Sequence, residues 1–376
     1  MKLAFCLFYY FPFGGQQRDF LKIAQLCRER GHSIHVFVMD LAGELPTGFE
    51  VTQVPVRGFS NHRRCFDFSR RVGRLLDAQH FDAVVGFSKM AGLDVYYAAD
   101  TCYREKVLAT RPFLYRLASR YRTYVALERA VFSPSARTQI LLIAAEQQAH
   151  FMRHYGTPAE RFHLLPPGIA RDRVAPANAA ELRRALRTEL QLRDDELLLL
   201  MVGSAFKTKG VDRAIRALAA LPPALRARAR LYVVGQDKVE PFLRLAQRLG
   251  VAERVHFLGG RSDVPRFLLG ADLLLHPAYL ENTGTVLVEA LAAGLPVLAS
   301  SVCGYAHHVE EAGGGLLIPA PFDQQVMNDL LVRMLSSPER PAWGRSALAY
   351  VSTADLFSLH EQAADFIESV GHGGRP

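Results

Sequence analysis

The sequence predicts an α/β protein of two similar domains, each a parallel sheet with helices between its strands. Three observations carry this. The chain has 376 residues, which at about 100–200 residues per domain asks for two domains. Short aliphatic or β-branched runs alternate with longer amphipathic stretches throughout, the pattern of successive βα units. A stiff breaker, Leu164-Leu165-Pro166-Pro167-Gly168, precedes a polar, Ala-rich stretch near the middle, and the boundary is expected there.

Taken in order, the first half should hold strands at 3–8, 33–39, 83–87 and 139–143, with a helix over 17–30 stopped by Gly31. The second half should hold strands near Leu197–Val202, 231–234, 255–258, Leu273–His276 and Val297–Ser300, each followed by a helical pattern. The expected divisions are 1–168, 169–350, and a C-terminal helix and tail at 351–376 packing back towards the first domain. The last residues, 371–376, are rich in Gly and Pro and should form a frayed tail.

Composition narrows the class. Hydrophobic residues make up 49% and charged residues 22%, the balance of a packed chain rather than a disordered or fibrous one. No run approaches the roughly 18–20 apolar residues a membrane span needs. The apolar stretch 3–13 meets Gly14-Gly15 instead of a small-residue cleavage site, so a cytoplasmic location is expected. The five cysteines are odd in number and form no C-x-x-C pair, which favours buried free thiols over disulfides or a zinc knuckle.

The formal charge of +8 lies wholly in the first half. Residues 1–170 carry 22 Lys and Arg against 14 Asp and Glu, whereas residues 171–376 carry 23 of each. A one-sided basic field points to an anionic partner, whether membrane surface, phosphorylated substrate or nucleic acid. Its densest stretch, 104–132, has seven Lys and Arg, among them Arg116, Arg120 and Arg122, against Glu105 and Glu128. Phe113, Leu114, Tyr115 and Leu117 are interleaved with them, the mixture expected of a helix lying in an anionic interface. An amphipathic helix with a core-facing apolar side would read the same way.

Several familiar sites are absent: G-x-x-x-x-G-K-[ST], H-E-x-x-H, G-x-S-x-G and, after the first strand, G-x-G-x-x-G. Walker-type ATPases, zincins, α/β-hydrolases and dinucleotide dehydrogenases therefore lose ground. His307 and His308 are adjacent, so on a helix their side chains diverge by about 100° and do not share a metal. No metal site is expected.

Three segments carry chemistry. Gly14 and Gly15 sit in the first βα turn, where a glycine pair admits a ligand close to the backbone or merely makes a tight turn. Gly203 to Gly210 follows a buried strand and brings Lys207 and Lys209 to the crevice where open α/β sheets bind ligands, a setting for phosphate. In the segment from Pro277 to Val297, Glu289 lies on an otherwise apolar helix, where a carboxylate needs strong hydrogen bonds such as a sugar diol provides. Glu281, eight residues earlier, brackets the start of the same helix.

With Glu-x7-Glu, Ala-Gly-Leu-Pro-Val after it and the glycines of the two turns, the chain resembles the retaining glycosyltransferases of the GT-B fold, family four. Stretches such as Gly92-Leu93-Asp94-Val95-Tyr96, Ser119-Arg120-Tyr121-Arg122 and Gln17-Arg18-Asp19-Phe20 are most similar to the branch that builds the lipopolysaccharide core. The resemblance implies two Rossmann-like domains facing a central cleft, with a UDP-sugar on the second and the acceptor at the first. The acceptor would be an inner-core heptose and the setting an anionic inner-membrane surface, with no cofactor and no nucleic-acid partner.

By the family's pattern Glu289 accepts from the ribose hydroxyls, Glu281 from the donor sugar, and Lys209 pairs with the diphosphate. Arg173 resembles a position near the diphosphate, Arg261 one near the base, and Asp100 a polar position near the sugar and the acceptor hydroxyl. Lys209, Glu281 and Asp100 are thus the catalytic candidates, Gly284 joins Gly14 and Gly15 in offering backbone amides, and Asp19, with Arg116, Arg120 and Arg122, belongs to the acceptor or the membrane side. The chain departs from the family's glucosyl members at Tyr97, Thr208, Asn282, Thr283 and Thr285, all small or hydrogen-bonding here. That implies a roomier, more polar sugar pocket and a lean towards UDP-N-acetylgalactosamine, with UDP-glucose the default. A non-hydrolysing UDP-sugar epimerase and a non-catalytic sugar-binding module are the rival readings.

Overall fold

The computed structural model describes residues 1–12 and 14–373. Phe13 of the first-turn motif and residues 374–376 of the expected tail lie outside the described residues. The chain divides into two units: Met1–Pro166 together with the segment from Ser358 on, and Pro167–Phe357.

The first unit holds β1 (Lys2–Tyr10), β2 (Ser33–Leu41), β3 (Phe49–Gln53), β4 (Ala83–Gly86), β5 (Val95–Ala98), β6 (Gln139–Leu142) and β7 (Phe162–Leu164), in the order β3-β2-β1-β4-β5-β6-β7. The second holds β8 (Leu197–Val202), β9 (Ala229–Val234), β10 (Val255–Phe257), β11 (Leu273–His276), β12 (Val297–Ser300) and β13 (Gly315–Ile318), in the order β10-β9-β8-β11-β12-β13. Every pairing is parallel. Strand order therefore reverses at β1/β4 and again at β8/β11. Loops leaving the carboxyl ends of such a pair run to opposite sides, which opens a crevice between them.

Parallel strands covered on both faces must be apolar throughout, and β8, LLLLMV, and β11, LLLH, are buried along their length. Four strands escape the sequence pattern for local reasons. β3 and β7 are short, partly exposed edges, β5 (VYYA) has only four residues, and β13 starts with glycine. The helix Leu359–His372 buries Leu359, Ala363 and Ile367 in the same core as Phe5, Phe20 and Ile23, so the end of the chain completes the first unit. All five cysteines are buried and free, and among the described residues no helix is long and apolar enough to cross a membrane.

The basic stretch 104–132 is not the single helix its composition suggested. It forms Tyr103–Thr110, a 3-10 turn Phe113–Leu117 and Ser119–Phe132. Pro112 supplies no N–H, and Arg111 before it is extended at φ −121°, ψ 146°, so the helix stops there. Leu127, Val131 and Phe132 enter the core, while Phe113, Leu114 and Leu117 stand 68%, 72% and 62% exposed.

Candidate functional site

The second unit assembles its site from backbone close approach. Gly203, just beyond β8, has φ +135°, and a Cβ on Gly235 beyond β9 would lie 2.3 Å from the Gly203 carbonyl oxygen. A Cβ on Gly210, at φ +79°, would lie 2.0 Å from the carbonyl oxygen of Pro277. Only glycine allows the loop after β8 to press on the loop after β11 in this way. The Tyr279 amide then donates to the Thr208 carbonyl at 2.8 Å, and Lys209 is carried against Glu281.

Glu281 is gripped from two sides through one oxygen. Lys209 Nζ donates to Oε2, and His276 Nε2, at the buried end of β11, donates to the same atom at 3.1 Å. Burial alone would raise this carboxyl, but His276 and Lys209 hold it down at about 2, so it is ionised at neutral pH. The opposite ring nitrogen of His276, Nδ1, is buried and has no hydrogen-bond partner among the described residues. Sequence reasoning passed over His276; its signal is a lone polar residue closing an otherwise aliphatic strand.

Next to this pair the chain turns at Gly284, φ +83°, into the helix Thr285–Ala292, and the Thr283 carbonyl accepts from the Tyr305 amide at 2.8 Å. Asn282, Thr283, Thr285 and Glu289 are half-buried around that start, while Thr208 is exposed. Glu289 Oε1 lies 3.4 Å from Arg173 Nε. Arg173 Nε and Nη1 are nonetheless buried and hydrogen-bond to nothing among the described residues. Asp172 Oδ1 also lies 3.5 Å from Nε, so this nitrogen faces two carboxylates without an aligned hydrogen bond to either, and an anionic ligand beside it would supply one. Arg261 stands apart, bound through both Nε and Nη2 to Asp263 at 2.8 Å.

The first unit holds the other candidates. Neither Gly14 nor Gly15 has positive φ, so no left-handed turn requires the pair; an added Cβ on Gly15 would meet nothing within 4 Å. Tyr97 is fully buried, and its hydroxyl donates to Asp19 Oδ2 at 2.8 Å; Asp19 Oδ1 is 3.0 Å from His360 Nε2. Asp100 faces a crevice of about 300 Å³ at the carboxyl ends of β1, β4 and β5, which Arg120 also lines. Arg116 stacks on Phe113 at 4.8 Å, and Arg122 is exposed.

Comparison with known proteins decides the family. A sequence model described as Glycosyltransferase Family 4 matches residues 13–173, and one described as Glycosyl transferases group 1 matches 183–347. The lipopolysaccharide glucosyltransferase WaaG of Escherichia coli K12 is 49% identical over 368 residues, covering 98% of each chain. The chain is a family-four glycosyltransferase. A crystal structure of WaaG superposes with a TM-score of 0.91 over 97% of this chain and 99% of that one. The Anabaena protein HepE, solved with UDP-glucose, matches at 0.74 with 20% identity over 98% of this chain and 100% of that one, a likeness of fold. Family-four membership makes this chain a transferase, and the epimerase and sugar-module readings give way to it.

Proposed function

We propose that the protein transfers glucose from UDP-glucose to an inner-core heptose of lipopolysaccharide, with retention of the α configuration, at the cytoplasmic face of the inner membrane. The observation that carries the donor half is the paired arrangement in the second unit, Glu281 with Lys209 and His276 beside Glu289 with Arg173, at the point where strand order reverses. Near-half identity along the whole chain to a lipopolysaccharide glucosyltransferase supports the substrate.

An acetamido donor is not supported. The full-length relative is named for glucose. The Tyr97 hydroxyl is taken by Asp19, and Thr208 is exposed.

In the proposed reaction the bond between the anomeric carbon and the β-phosphate oxygen breaks while the acceptor oxygen bonds to that carbon, its proton passing to the leaving phosphate. Negative charge grows on the phosphate, so Lys209, Arg173 and the amides following Gly284 would lower the barrier, and no metal is invoked. Glu281 has Oε1 for a sugar hydroxyl, and Glu289 would hold the ribose. Phe113, Leu114 and Leu117, exposed in a turn where Arg116 stacks on Phe113 and Arg111 on Tyr115, support contact with an anionic bilayer.

The test is incubation with UDP-glucose, UDP-galactose and the two UDP-N-acetylhexosamines, with and without a heptose acceptor and with chelator present, following UDP release. Acceptor-dependent release, fastest with UDP-glucose, is expected. Faster use of an N-acetylhexosamine would overturn the donor assignment, and interconversion of UDP-sugars without acceptor would overturn transfer itself.

A further inference from the structure

We propose that the crevice of the first unit binds one sugar residue bearing an anionic substituent, phosphate or carboxylate, and that Lys106 and Arg120 recognise that substituent. This rests on the acceptor reading above and deepens it.

The crevice is small and built for a carbohydrate. At about 300 Å³ it sits at the lower end of small-molecule sites, room for a single ring and little more. Phe8, Tyr9, Tyr103 and Tyr124 form its walls. Aromatic surfaces suit the C–H faces of a pyranose, whereas its hydroxyls need partners of their own. Asn61, Ser88 and Asp100 supply them at the same crevice.

One wall is locked from behind. Glu128, fully buried, accepts from Lys89 Nζ at 2.6 Å, Tyr155 Oη at 2.5 Å and the amides of Tyr103 and Arg104 at 2.8 and 3.1 Å. Lys89 also donates to the Thr101 carbonyl at 3.1 Å. Tyr103, Thr101 and Lys89 are thereby fixed as lining groups before any ligand arrives.

Charge then sets the preference. Lys89 is neutralised by Glu128, but Lys106 and Arg120 make no ion pair among the described residues, and only Asp100 opposes them in the crevice. Three other cations of the segment are engaged elsewhere: Arg104 donates to the His154 carbonyl, and Arg111 and Arg116 stack on Tyr115 and Phe113, whereas Arg120 lies over the ring of Tyr124, itself a wall of the crevice. A neutral sugar would leave one net positive charge at the mouth unanswered; an anionic substituent would answer it with charge-assisted hydrogen bonds. The basic segment is thus divided between two tasks, a pair that reads the acceptor and an outer set beside the exposed Phe113–Leu117 turn.

The experiment uses the full chain and three probes: a methyl heptoside, its monophosphate, and a heptoside with a carboxylate. Calorimetry should show either anionic form binding at least tenfold tighter than the plain heptoside. The double variant Lys106→Gln/Arg120→Gln should erase that preference while leaving plain-heptoside and UDP affinity within about twofold, and the exchange Lys106→Arg/Arg120→Lys should retain it. No preference in the parent protein, or one that survives the glutamines, overturns the proposal. So does a double variant that keeps the preference and loses only flotation with anionic liposomes, because the two cations then serve lipid. If no UDP-sugar supports transfer while the charge-dependent binding holds, the transfer reading fails and this one stands. Transfer without any charge preference has the reverse meaning.

Discussion

The two units share a strand order and differ in what occupies the crevice it creates. In the second, glycines bring loop onto loop, and the charged groups are already tied to one another, Glu281 to Lys209 and His276, Arg173 to Glu289. In the first, aromatic side chains make the walls, and two cations over a rigid buried ion pair make no ion pair of their own among the described residues. A nucleotide presents the same phosphates and ribose to every enzyme that binds it, so backbone geometry suffices to hold it. An acceptor differs from enzyme to enzyme, and side chains over a common sheet are the cheaper way to change specificity.

That contrast breaks most severely at Glu128. Glu128→Ala strands Lys89 in the interior, and the first unit should lose about 3–5 kcal/mol, read by thermal or urea unfolding, with UDP binding by the second unit intact at low temperature. Coincident loss of UDP affinity would show the units to be less separable than their cores. Gly210→Ala should cost the second unit about 2–4 kcal/mol, since the new Cβ meets the Pro277 carbonyl at a positive φ. Gly15→Ala, with open space before it, should leave stability unchanged and lower turnover.

The division within the second unit is a sharper probe. Glu281→Ala should lower kcat about a hundredfold with UDP affinity within threefold, whereas Glu289→Ala should weaken UDP binding about tenfold, compared by steady-state kinetics and calorimetry. Equal loss of affinity in both variants would erase the distinction. The smallest effect is acid sensitivity. Glu281 is held at about 2 against an ordinary glutamate value of about 4.3, so its contribution is whole above about pH 4.3 and lost as pH falls towards 2. Acid unfolding of Glu281→Gln should be flatter than that of the parent in that window, and superposable curves would remove the ion pair from the stability of this unit.

Much of the fold was legible because parallel strands buried on both faces announce themselves as unbroken aliphatic runs: 197–202 and 273–276 match β8 and β11 residue for residue. Edges did not, since Phe49–Gln53 buries no residue and exposes even Val51, and Phe162–Leu164 is too short to carry a period. Glu281, Glu289 and Lys209 could be read from their unlikely company, charges among glycines or alanines. The Lys89–Glu128 pair could not, because the partners are 39 residues apart and only the fold brings them together; His276 is five residues from Glu281, but nothing in the sequence tells that the strand's last side chain turns back onto the following loop.

The first unit is built from two stretches of chain that flank the whole of the second. Its core needs Leu359, Ala363 and Ile367, which leave the ribosome only after the whole second unit has been made. The second unit is contiguous and can fold while synthesis continues, but the first unit waits, with Phe5, Phe20 and Ile23 uncovered, for the helix Leu359–His372. Order of manufacture is therefore second unit first and first unit last, and a ribosome that stalls before residue 359 leaves one finished unit beside an open one.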